Sequence, residues 1–485
     1  MAIKRVITRK FLVPLLNKKL AYLQENPEEN LVQVANELYQ LVNRLSFIPL
    51  FKNQLEAIKN LAERDSAGRQ LIINILRDTD PNIAKKILEN FIVNAVWLGI
   101  PKQKEETKRT GTDVPFFLLI DPTELCNYEC KGCWAGAYGK AEMEIELFNR
   151  IMGEARKLGI YYIVVSGGEP TLWPHLIEVF KENNDMAFMM YTNGSRFNKA
   201  FSEQIAEVGN VIPCFSIEGF EEKTDERRGK GAWDKVMQAM DNMKKLGVPF
   251  GYSITQTHFN VREVMSDKFV DFMIDKGAKI AWYFQYIPIG NTPDLLMMLT
   301  PEQRMSSYHI IHYLRSKKSL FVADFWNDGP YTGGCIAGGR RYFHITANGG
   351  IEPCAFIHLS QGNMKDMSLR EALQLPFFKE MQKLQPFSSN LLSPCLLVDN
   401  PDYFRKISCL PGVKSTDDTV KNMGEAVGNY LDKLSKEWEK LSRLVFEKDF
   451  PKVASKTQRY KKRKKDLLEK YKDDLRKVIR FGKLE

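Results

Sequence analysis

Three cysteines lie within eight residues of the sequence CNYECKGCW, at Cys126, Cys130 and Cys133. A closed structural zinc site takes four protein ligands. Three thiolates on a four-iron cluster leave one iron with an open coordination position, where a small molecule can bind and be activated. The triplet is therefore compatible with structural thiols, a zinc knuckle or a reactive iron–sulfur site, and the rest of the chain has to decide between them.

The other five cysteines are spread over the chain. Cys214 lies in the apolar stretch VIPCFSIEG and is predicted to be a core residue. The remaining four follow in the C-terminal third, at Cys335, Cys354, Cys395 and Cys409. Because cytosolic proteins keep their thiols reduced, eight cysteines in such a chain indicate metal binding or catalysis before disulfides.

The composition is that of an ordinary globular protein. The chain has 485 residues, enough for two or three domains, of which 44% are hydrophobic and 27% charged. No run of 18 apolar residues predicts a transmembrane helix. The N-terminal FLVPLL is too short for a signal-peptide core and has no small-residue cleavage site nearby. We therefore expect a cytoplasmic protein.

The positive charge is concentrated at the two ends of the chain. Residues 451–485 hold 14 Lys and Arg against 5 Asp and Glu, and residues 1–20 hold 6 basic and no acidic residues. The net charge of the whole chain is +10, so the long middle part is slightly acidic. The ends are either solvated tails or contacts for an anionic partner such as a membrane surface or a nucleic acid.

The hydrophobic pattern divides the chain into four regions. Residues 1–110 have the apolar spacing of helices. Residues 115–325 alternate short apolar strands with amphipathic helices, which is typical of a parallel α/β sheet and most simply of a partial (βα)6 TIM-like barrel. Residues 326–415 are rich in Gly and Cys, with a hairpin predicted around NGG. Residues 420–485 are predicted to be a basic helical tail. The six predicted strands are FFLLIDP, YYIVVSGG, AFMMYTN, VIPCFSIEG, PFGYSITQT and KIAWYFQYIPIG.

The cysteine triplet follows directly on the first strand of this barrel. The second strand ends in SGGEP, the third in YTNG, the fourth in SIEG and the sixth in YIPIG. In such barrels the loops after the strands meet at one mouth and carry the site. The Cys-x3-Cys-x2-Cys loop, the GGEP after the second strand and the partial barrel together resemble the radical S-adenosylmethionine (SAM) enzymes, over roughly residues 115–325.

This resemblance implies roles for the residues at the barrel mouth. Cys126, Cys130 and Cys133 would hold three irons of a [4Fe–4S] cluster, and the fourth iron would chelate the amino and carboxylate groups of SAM. One departure is Gly132, where the family usually has an aromatic residue before the third cysteine; Trp134 follows instead. The residues expected to bind SAM are Gly167, Gly168, Glu169, Pro170, Thr192, Asn193, Ser216, Arg228 and Ile287.

The later cysteines are similar to the opening of SPASM and twitch extensions. Thirteen residues separate Cys335 from Gly349, and four more separate Gly349 from Cys354. The dense later cysteines of a full SPASM run are absent, and only Cys395 and Cys409 follow. The resemblance implies an auxiliary iron–sulfur cluster held by Cys335, Cys354 and Cys395, with Cys409 as a fourth ligand. A structural zinc site or free thiols are the alternatives.

Three functions follow from these observations. The first is a radical SAM enzyme that cleaves SAM reductively to a 5′-deoxyadenosyl radical and abstracts hydrogen from an unactivated carbon. Its expected substrate is a lipid alkyl chain at the membrane surface, because the basic ends suit an anionic bilayer. Carbon–carbon coupling is what a looser resemblance implies, to radical SAM enzymes that join lipid alkyl chains into membrane-spanning lipids. The second is a SPASM-type maturase that modifies a peptide or protein. The third is a non-catalytic iron–sulfur sensor.

The expected partners follow the same reasoning. The resemblance implies a reductant such as flavodoxin or ferredoxin. The basic ends predict a peripheral contact with the inner membrane face, whereas no recognised module predicts nucleic-acid binding. Many peptide modifiers begin with a small leader-binding domain that contains a β-sheet. The helical pattern of residues 1–110 does not match such a domain, which favours the lipid substrate over the peptide.

Overall fold

The structure is a computed structural model of the chain, and it describes residue 10 and residues 12–44, 52–417 and 425–458. Residues 459–485 of the predicted basic helical tail lie outside these ranges. No helix in the described ranges is long and apolar enough to cross a bilayer.

The N-terminal region is helical, as its apolar spacing predicts. The Ser66 hydroxyl caps one helix by accepting a hydrogen bond from the Arg69 amide at 3.2 Å. The Asn90 side chain donates to the Met186 carbonyl at 2.8 Å and docks this region on the sheet. The helices are Val13–Glu25, Pro27–Arg44, Lys52–Glu63, Ala67–Asp78, Pro81–Ile87, the π-helical Leu88–Gly99, and Ile100–Thr110.

Seven parallel strands form the centre of the molecule, in the order in which they occur in the chain. The first six are the predicted strands, so the α/β class is confirmed, and they form an open partial barrel. Parallel neighbours require crossover connections, which the intervening helices supply. The strands are β1 (Phe117–Ile120), β2 (Tyr162–Val165), β3 (Ala187–Thr192), β4 (Val211–Ser216), β5 (Gly251–Gln256), β6 (Ile280–Gln285) and β7 (Phe321–Asp324).

The helices between the strands cover the outside of the barrel. The longer ones bury one apolar stripe, as Leu147, Ile151 and Ala155 show in the helix after β1. These helices are Ile145–Leu158, Leu176–Glu182, Lys199–Val208, Glu221–Arg228, Ala232–Lys245, Val261–Val264, Asp267–Lys276 and Pro301–Lys317.

The Cys-rich extension begins after β7. Its predicted hairpin around NGG is present as two antiparallel strands, β8 (His344–Ile345) and β9 (Ile351–Glu352). A second small sheet pairs β10 (Leu359–Ser360) with β11 (Lys414–Ser415). The helices of the extension are Gly329–Thr332, Leu369–Ala372, Pro376–Leu384, Pro401–Ser408 and the long C-terminal helix Glu425–Asp449.

Two features of the sheet differ from the sequence prediction. A seventh strand, β7, pairs in parallel with β6, where the sequence pattern indicated six. The hairpin also joins the barrel, because β8 pairs in parallel with β1. The extension is therefore an edge of the barrel sheet and places its cysteines beside the barrel interior.

The inside of the barrel has an apolar cluster of its own. Leu119, Val164, Met189 and Cys214 come from β1 to β4 and pack there with Tyr342 of the extension. Cys214 is fully buried, as predicted. The interior of the barrel is thus closed on one side by the extension that carries the later cysteines.

The long C-terminal helix is fixed to the barrel through Arg304, which stacks on Trp438 of that helix and forms a buried ion pair with Asp399. The Arg304 guanidinium lies over the Trp438 ring, 4.1 Å from its centroid, and Trp438 Nε1 donates to the Leu392 carbonyl at 2.8 Å. Arg304 Nη1 lies 2.7 Å from Asp399 Oδ1. The other oxygen of Asp399 accepts from the Cys395 amide at 3.0 Å. This contact connects the barrel, the long helix and the loop of Cys395.

Replacing Arg304 by alanine is expected to lower the free energy of unfolding by about 3–5 kcal/mol, because the Asp399 carboxylate would stay buried without its cation. Urea denaturation followed by circular dichroism measures the change. Arg405 makes only exposed pairs with two aspartates, so Arg405→Ala is the matched control and should cost about 1 kcal/mol or less. Equal losses in the two variants would contradict the structural role of the Arg304 pair.

Candidate functional site

A cavity of about 200 Å³ lies inside the barrel and reaches the carboxyl ends of its strands. Cys126, Cys130 and Cys133 all line it. So do Ser216 and Arg228, from the end of β4 and the helix that follows. The structure therefore brings together residues that are about a hundred positions apart in the sequence, at the barrel end where loops converge.

The cysteine loop is held by backbone contacts from neighbouring loops. The Gly168 amide donates to the Thr123 carbonyl at 3.0 Å, just before the first cysteine. The Asn291 amide, after β6, donates to the Cys133 carbonyl at 3.0 Å. Lys131 donates from its amide to a carbonyl at the end of the helix Glu221–Arg228. The cysteine loop is thus fixed by the loops that follow β2 and β6 and by the helix that follows β4.

The thiols of the triplet are free, since none of them forms a disulfide. Cys126 is the most exposed of the three, yet the protein around it raises the pKa of its thiol to about 11 by desolvation. Burial also raises the pKa of Cys133. Metal binding requires the deprotonated thiolate. A bound cation would therefore displace these protons at neutral pH.

The two glycines of GGEP let the loop after β2 lie directly against the cysteine loop. A Cβ atom on Gly168 would lie 2.2 Å from the Leu125 carbonyl oxygen, and one on Gly167 would lie 2.4 Å from that of Thr123. Gly167 also has a φ of 120°, which disfavours other residues. Any side chain here would push the two loops apart.

Replacing Gly168 by alanine is expected to weaken SAM binding about tenfold or more, because overpacking of this kind costs about 1–3 kcal/mol and moves the cysteine loop. Equilibrium dialysis of SAM against the reconstituted protein measures the effect. Gly153→Ala is the matched control, since a Cβ atom there would meet nothing within 4 Å. Unchanged SAM affinity in Gly168→Ala would contradict the close packing of the two loops.

Glu169 has a structural position that the sequence did not reveal. Its side chain is 1% exposed and does not line the cavity. The carboxylate accepts from the Thr171 hydroxyl at 2.6 Å, the Thr192 hydroxyl at 2.7 Å and the Asn193 amide at 2.7 Å. Burial raises its pKa, and these donors oppose that effect. Glu169 ties the loop after β2 to the end of β3, and it is the two glycines that line the cavity.

Of the other residues expected to contact SAM, three line the cavity and one does not. Thr192, Asn193 and Ile287 line the cavity, at the ends of β3 and β6. The Asn193 side-chain amide donates to Oδ1 of the Asn127 side chain at 2.9 Å and so also fixes the cysteine loop. Pro170 is buried in a turn and does not line the cavity.

Two arginines place positive charge beside the triplet. Arg228 donates from Nε and Nη2 to Glu218 Oε1, at 2.9 and 2.6 Å. Arg227 Nη1 reaches the same oxygen at 2.5 Å. Burial alone would lower the pKa of Arg228, but Glu218 and the nearby thiols raise it. Arg228 Nη1 lies 4.0 Å from Cys130 Sγ, so this pair can balance thiolate charge or a ligand carboxylate.

Tyr286 and Arg227 are site residues that sequence reasoning missed. A Cβ atom on Gly132 would lie 2.7 Å from the Tyr286 ring, so this ring, from the loop after β6, takes the space of the aromatic that the family usually has before the third cysteine. The Tyr286 hydroxyl accepts from the Asp294 amide at 3.0 Å. The sequence signals were the tyrosine in YIPIG and the first arginine of DERRG.

The later cysteines form a second group. Cys335, Cys354 and Cys395 are half-buried and free. Burial raises the pKa of Cys354 to about 12 and also raises that of Cys395, whose thiol lies in the field of the other two. The Tyr342 hydroxyl donates to Cys354 Sγ at 3.0 Å. Cys409 differs from these three: it is exposed and follows the helix Pro401–Ser408.

The cavity connects the two cysteine groups. Tyr342, Ala355 and Phe356 line it, so its wall includes the direct neighbours of Cys354. The Trp134 ring, next to the first triplet, lies 5.9 Å from the Phe356 ring. The space therefore extends from the cysteine loop to the edge of the second group.

A buried charged network lies behind this connection. His344 Nε2 is 2.8 Å from Asp121 Oδ2, and its Nδ1 is 2.7 Å from Glu352 Oε2. Tyr138 donates to the same Glu352 oxygen at 2.8 Å. Burial alone would lower the pKa of His344, but the two carboxylates raise it to about 10. The imidazolium therefore fastens the extension to the end of β1.

His344 predicts a pH dependence of stability. The pKa of His344 in the folded protein lies above the ordinary value of about 6.5. Its contribution to the free energy of unfolding is therefore complete below pH 6.5 and is lost as the pH rises toward 10. Between pH 7 and 10, the unfolding free energy of the wild type should fall more steeply than that of His344→Gln, by up to about 1.4 kcal/mol per pH unit. Urea titrations at several pH values compare the slopes. Parallel slopes would show that His344 is not held protonated.

The residues present fit an iron–sulfur cluster at each cysteine group. Within the described ranges no three His, Cys, Asp or Glu side chains can share a single metal ion. A four-iron cluster does not require this, because each thiolate binds a different iron. The first triplet also has the open cavity that a small ligand on a fourth iron needs, and Arg227 and Arg228 beside it.

Comparison with known proteins agrees with this geometry. The radical SAM superfamily model matches residues 120–272, and the model of SPASM, an iron–sulfur cluster-binding domain, matches residues 335–396. The two matches imply a SAM-binding [4Fe–4S] cluster, SAM and an auxiliary cluster.

Several proteins are similar to this chain. The PqqA peptide cyclase of Methylorubrum extorquens is 26% identical over 257 residues, which cover 50% of this chain and 66% of the cyclase. The AdoMet-dependent heme synthase of Methanosarcina barkeri is 22% identical over 290 residues, covering 54% and 82%. The chain thus spans just under two thirds of the length of the peptide cyclase.

A solved structure shares the fold. Streptococcus suis SuiB bound to S-adenosylmethionine superposes with a TM-score of 0.51 at 18% identity, over 69% of this chain and 87% of SuiB. The fold, the cysteine loop and both family models lead to one conclusion. Residues 120–272 form a radical SAM domain, and residues 335–396 form a SPASM-type iron–sulfur extension.

Proposed function

We propose that the chain is a radical SAM maturase that modifies a peptide or protein. The observation that carries this proposal is that one cavity is lined both by Cys126, Cys130 and Cys133 and by the residues that follow Cys354. A substrate in that cavity would lie between the two iron–sulfur sites, enclosed by the barrel.

The residues would divide the work as follows. The first triplet would hold the SAM-binding cluster, and Cys335, Cys354 and Cys395 would hold the auxiliary cluster, with Cys409 as a candidate fourth ligand. The Gly167–Gly168 backbone, Ser216 and Arg228 would contact the methionine part of SAM. Thr192, Asn193, Ile287 and Tyr286 would contact its ribose and adenine. Glu169 and Pro170 would act indirectly, by shaping the loop after β2.

The bound cofactors would supply reductive cleavage of SAM to a 5′-deoxyadenosyl radical, which abstracts hydrogen from an unactivated carbon. The chain's own residues would position SAM and exclude water. The paired Arg227 and Arg228 would balance negative charge near the thiolates, and the barrel wall would hold the target carbon in place. A small redox protein such as flavodoxin or ferredoxin would deliver the electron.

The regions would correspond to these tasks. We assign residues 1–110 to a helical scaffold, 115–325 to the radical SAM barrel, 326–415 to the auxiliary cluster domain and 420–485 to the basic tail. Because β8 belongs to the barrel sheet, the second and third regions would act as one unit.

The peptide is favoured over the lipid substrate that the basic ends suggested. One similar protein is named a peptide cyclase, and the SPASM model matches residues 335–396 of this chain. No finding supports contact with a membrane, and residues 459–485 of the basic tail lie outside the described residues. The heme synthase similarity makes a tetrapyrrole the second candidate.

The test is the formation of 5′-deoxyadenosine by the full chain, reconstituted anaerobically with iron and sulfide and reduced in the presence of SAM. Three additions are compared: a cellular peptide fraction, a total lipid extract and a tetrapyrrole mixture. The proposal predicts that the peptide fraction raises the rate above the basal rate and that prior digestion with protease removes the effect. Stimulation by lipid or tetrapyrrole, with none by peptide, would overturn it.

A further inference from the structure

Tyr342 lies between the first strand of the barrel and the later cysteines. Its hydroxyl donates a hydrogen bond to Cys354 Sγ at 3.0 Å. Its ring stacks on that of Phe117 in β1, with the two planes 2° apart and the centroids at 5.0 Å. Tyr342 also lines the cavity. One side chain therefore contacts an expected ligand of the auxiliary cluster, the barrel sheet and the cavity.

The backbone around this tyrosine holds it in place. The Tyr342 amide donates to the Ile336 carbonyl at 3.3 Å, and the Tyr342 carbonyl accepts from the Gly339 amide at 3.0 Å. These bonds close the loop that follows Cys335. Two residues after Tyr342 the chain enters β8, which pairs with β1. Because Tyr342 is also only 5% exposed, its hydroxyl is held in a fixed direction toward the sulfur.

The hydroxyl approaches its sulfur more closely than the backbone donors nearby do. The Phe356 amide lies 3.4 Å from Cys354 Sγ, and the Val398 amide lies 3.5 Å from Cys395 Sγ. A tyrosine hydroxyl keeps its proton at neutral pH, since its ordinary pKa is about 10. A cysteine that binds iron is a thiolate without a proton. In the loaded protein the hydrogen bond can therefore run only from Tyr342 to the sulfur.

A hydrogen bond to a cluster sulfur changes how readily the cluster takes up an electron. The reduced cluster carries one more negative charge than the oxidised cluster, so a donor to its sulfur stabilises the reduced form more. Hydrogen bonds to the sulfurs are among the factors that set the reduction potential of an iron–sulfur cluster. The effect is stronger in a buried site, where the local dielectric constant is low.

We propose that Tyr342 is a positioning residue of the auxiliary cluster, which orients Cys354 and raises the reduction potential of the cluster through its hydroxyl. The inference rests on the proposed function in one respect, because it takes Cys354 as a ligand of that cluster. It makes no assumption about the substrate. Since Tyr342 also lines the cavity, the group that tunes the cluster is part of the wall that a bound substrate would meet.

The test is a redox titration of the full-length reconstituted protein with dithionite, followed by electron paramagnetic resonance. The signal that added SAM leaves unchanged belongs to the auxiliary cluster. Tyr342→Phe keeps the stacked ring and removes only the hydroxyl. The equilibrium constant for one-electron reduction of this cluster should fall about threefold to tenfold, the effect of one hydrogen bond, which is about 30–60 mV of reduction potential. The iron content should stay that of the wild type.

Tyr162→Phe is the matched control. Tyr162 also lines the cavity, but its hydroxyl donates to Met189 Sδ at 3.4 Å and not to a later cysteine. This variant should keep the wild-type potential of the auxiliary cluster. An equal fall in both variants would contradict the inference, because it would trace the shift to the general polarity of the cavity.

A second measurement needs no variant. Wild-type protein labelled with tyrosine that carries a magnetic oxygen isotope at the hydroxyl should show coupling of that oxygen to the reduced auxiliary cluster in electron–nuclear double resonance spectra. Absence of this coupling, or of any second cluster signal, would overturn the inference. So would an unchanged potential in Tyr342→Phe, or loss of the cluster from that variant, since the hydroxyl would then be needed to hold the cluster and not to tune it.

These outcomes are separate from those of the proposed function. A shifted potential in Tyr342→Phe supports the inference even if the peptide fraction fails to stimulate SAM cleavage. An unshifted potential overturns it even if peptides do stimulate cleavage, in which case the proposed function stands.

Discussion

Replacing Cys126, Cys130 or Cys133 singly by alanine is expected to abolish SAM cleavage, by more than about a hundredfold, while the fold remains intact. A single missing ligand should release the cluster, since even changes outside the direct ligands of a metal site cost 10- to 100-fold. The fold should persist because the cysteine loop lies at the barrel mouth, whereas the core is formed by strand residues such as Ile120 and Ile163.

Mass-spectrometric quantification of 5′-deoxyadenosine measures this loss, and circular dichroism measures the fold. Cys214→Ala is the matched control, because Cys214 is buried in β4 and is not a cavity-lining residue. It should retain both iron and SAM cleavage. Wild-type amounts of 5′-deoxyadenosine in any of the three loop variants would remove the triplet from the cofactor site.

The second large effect concerns the auxiliary group. The triple variant Cys335→Ala/Cys354→Ala/Cys395→Ala is expected to hold about four irons per chain instead of about eight. It should still cleave SAM at a basal rate, since the first triplet is untouched, but it should not convert substrate. The loss of iron is expected because these three thiols lie together, beside the cavity and far in sequence from the cysteine loop.

Iron and sulfide analysis, with Mössbauer spectra of the same samples, measures the change. The single variant Cys409→Ala decides the fourth ligand: a loss of about four irons would assign it to the cluster, and an unchanged count would leave three cysteine ligands. An iron content in the triple variant equal to that of the wild type would reject an auxiliary cluster at these residues.

Much of the architecture could be predicted from local patterns. Short apolar runs such as FLLI and YIVV alternate with amphipathic helices, and β1 to β6 appear where that alternation places them. The NGG hairpin was predictable for the same reason, because its signal lies within a few residues. Sequence pattern works here since strands, helices and tight turns are decided mainly by neighbouring residues.

The features that the sequence did not reveal depend on distant contacts. Pairing of β8 with β1 joins residues more than 220 positions apart. Tyr286 fills the space above Gly132 only because the loops after β1 and β6 meet at the barrel mouth. Glu169 looks like a ligand-binding acid in GGEP, but Thr192 and Asn193 at the end of β3 donate to its carboxylate, together with Thr171 of its own loop. None of these contacts leaves a periodic signal.

The substrate prediction shows a different limit. The positive charge of residues 451–485 favoured a membrane lipid, and charge is a property of composition that says little about a cavity. The cavity is lined by side chains such as Trp282 in β6 and Phe325 just after β7, whose contact is visible only in the folded chain.

The central claim is that two iron–sulfur sites lie beside one barrel cavity. An anomalous difference map at the iron edge, from crystals of the anaerobically reconstituted full chain, tests it most directly. The structure predicts two iron peaks, one at Cys126, Cys130 and Cys133 and one at Cys335, Cys354 and Cys395, both beside the barrel cavity. A single peak, or a second peak away from the later cysteines, would contradict the account.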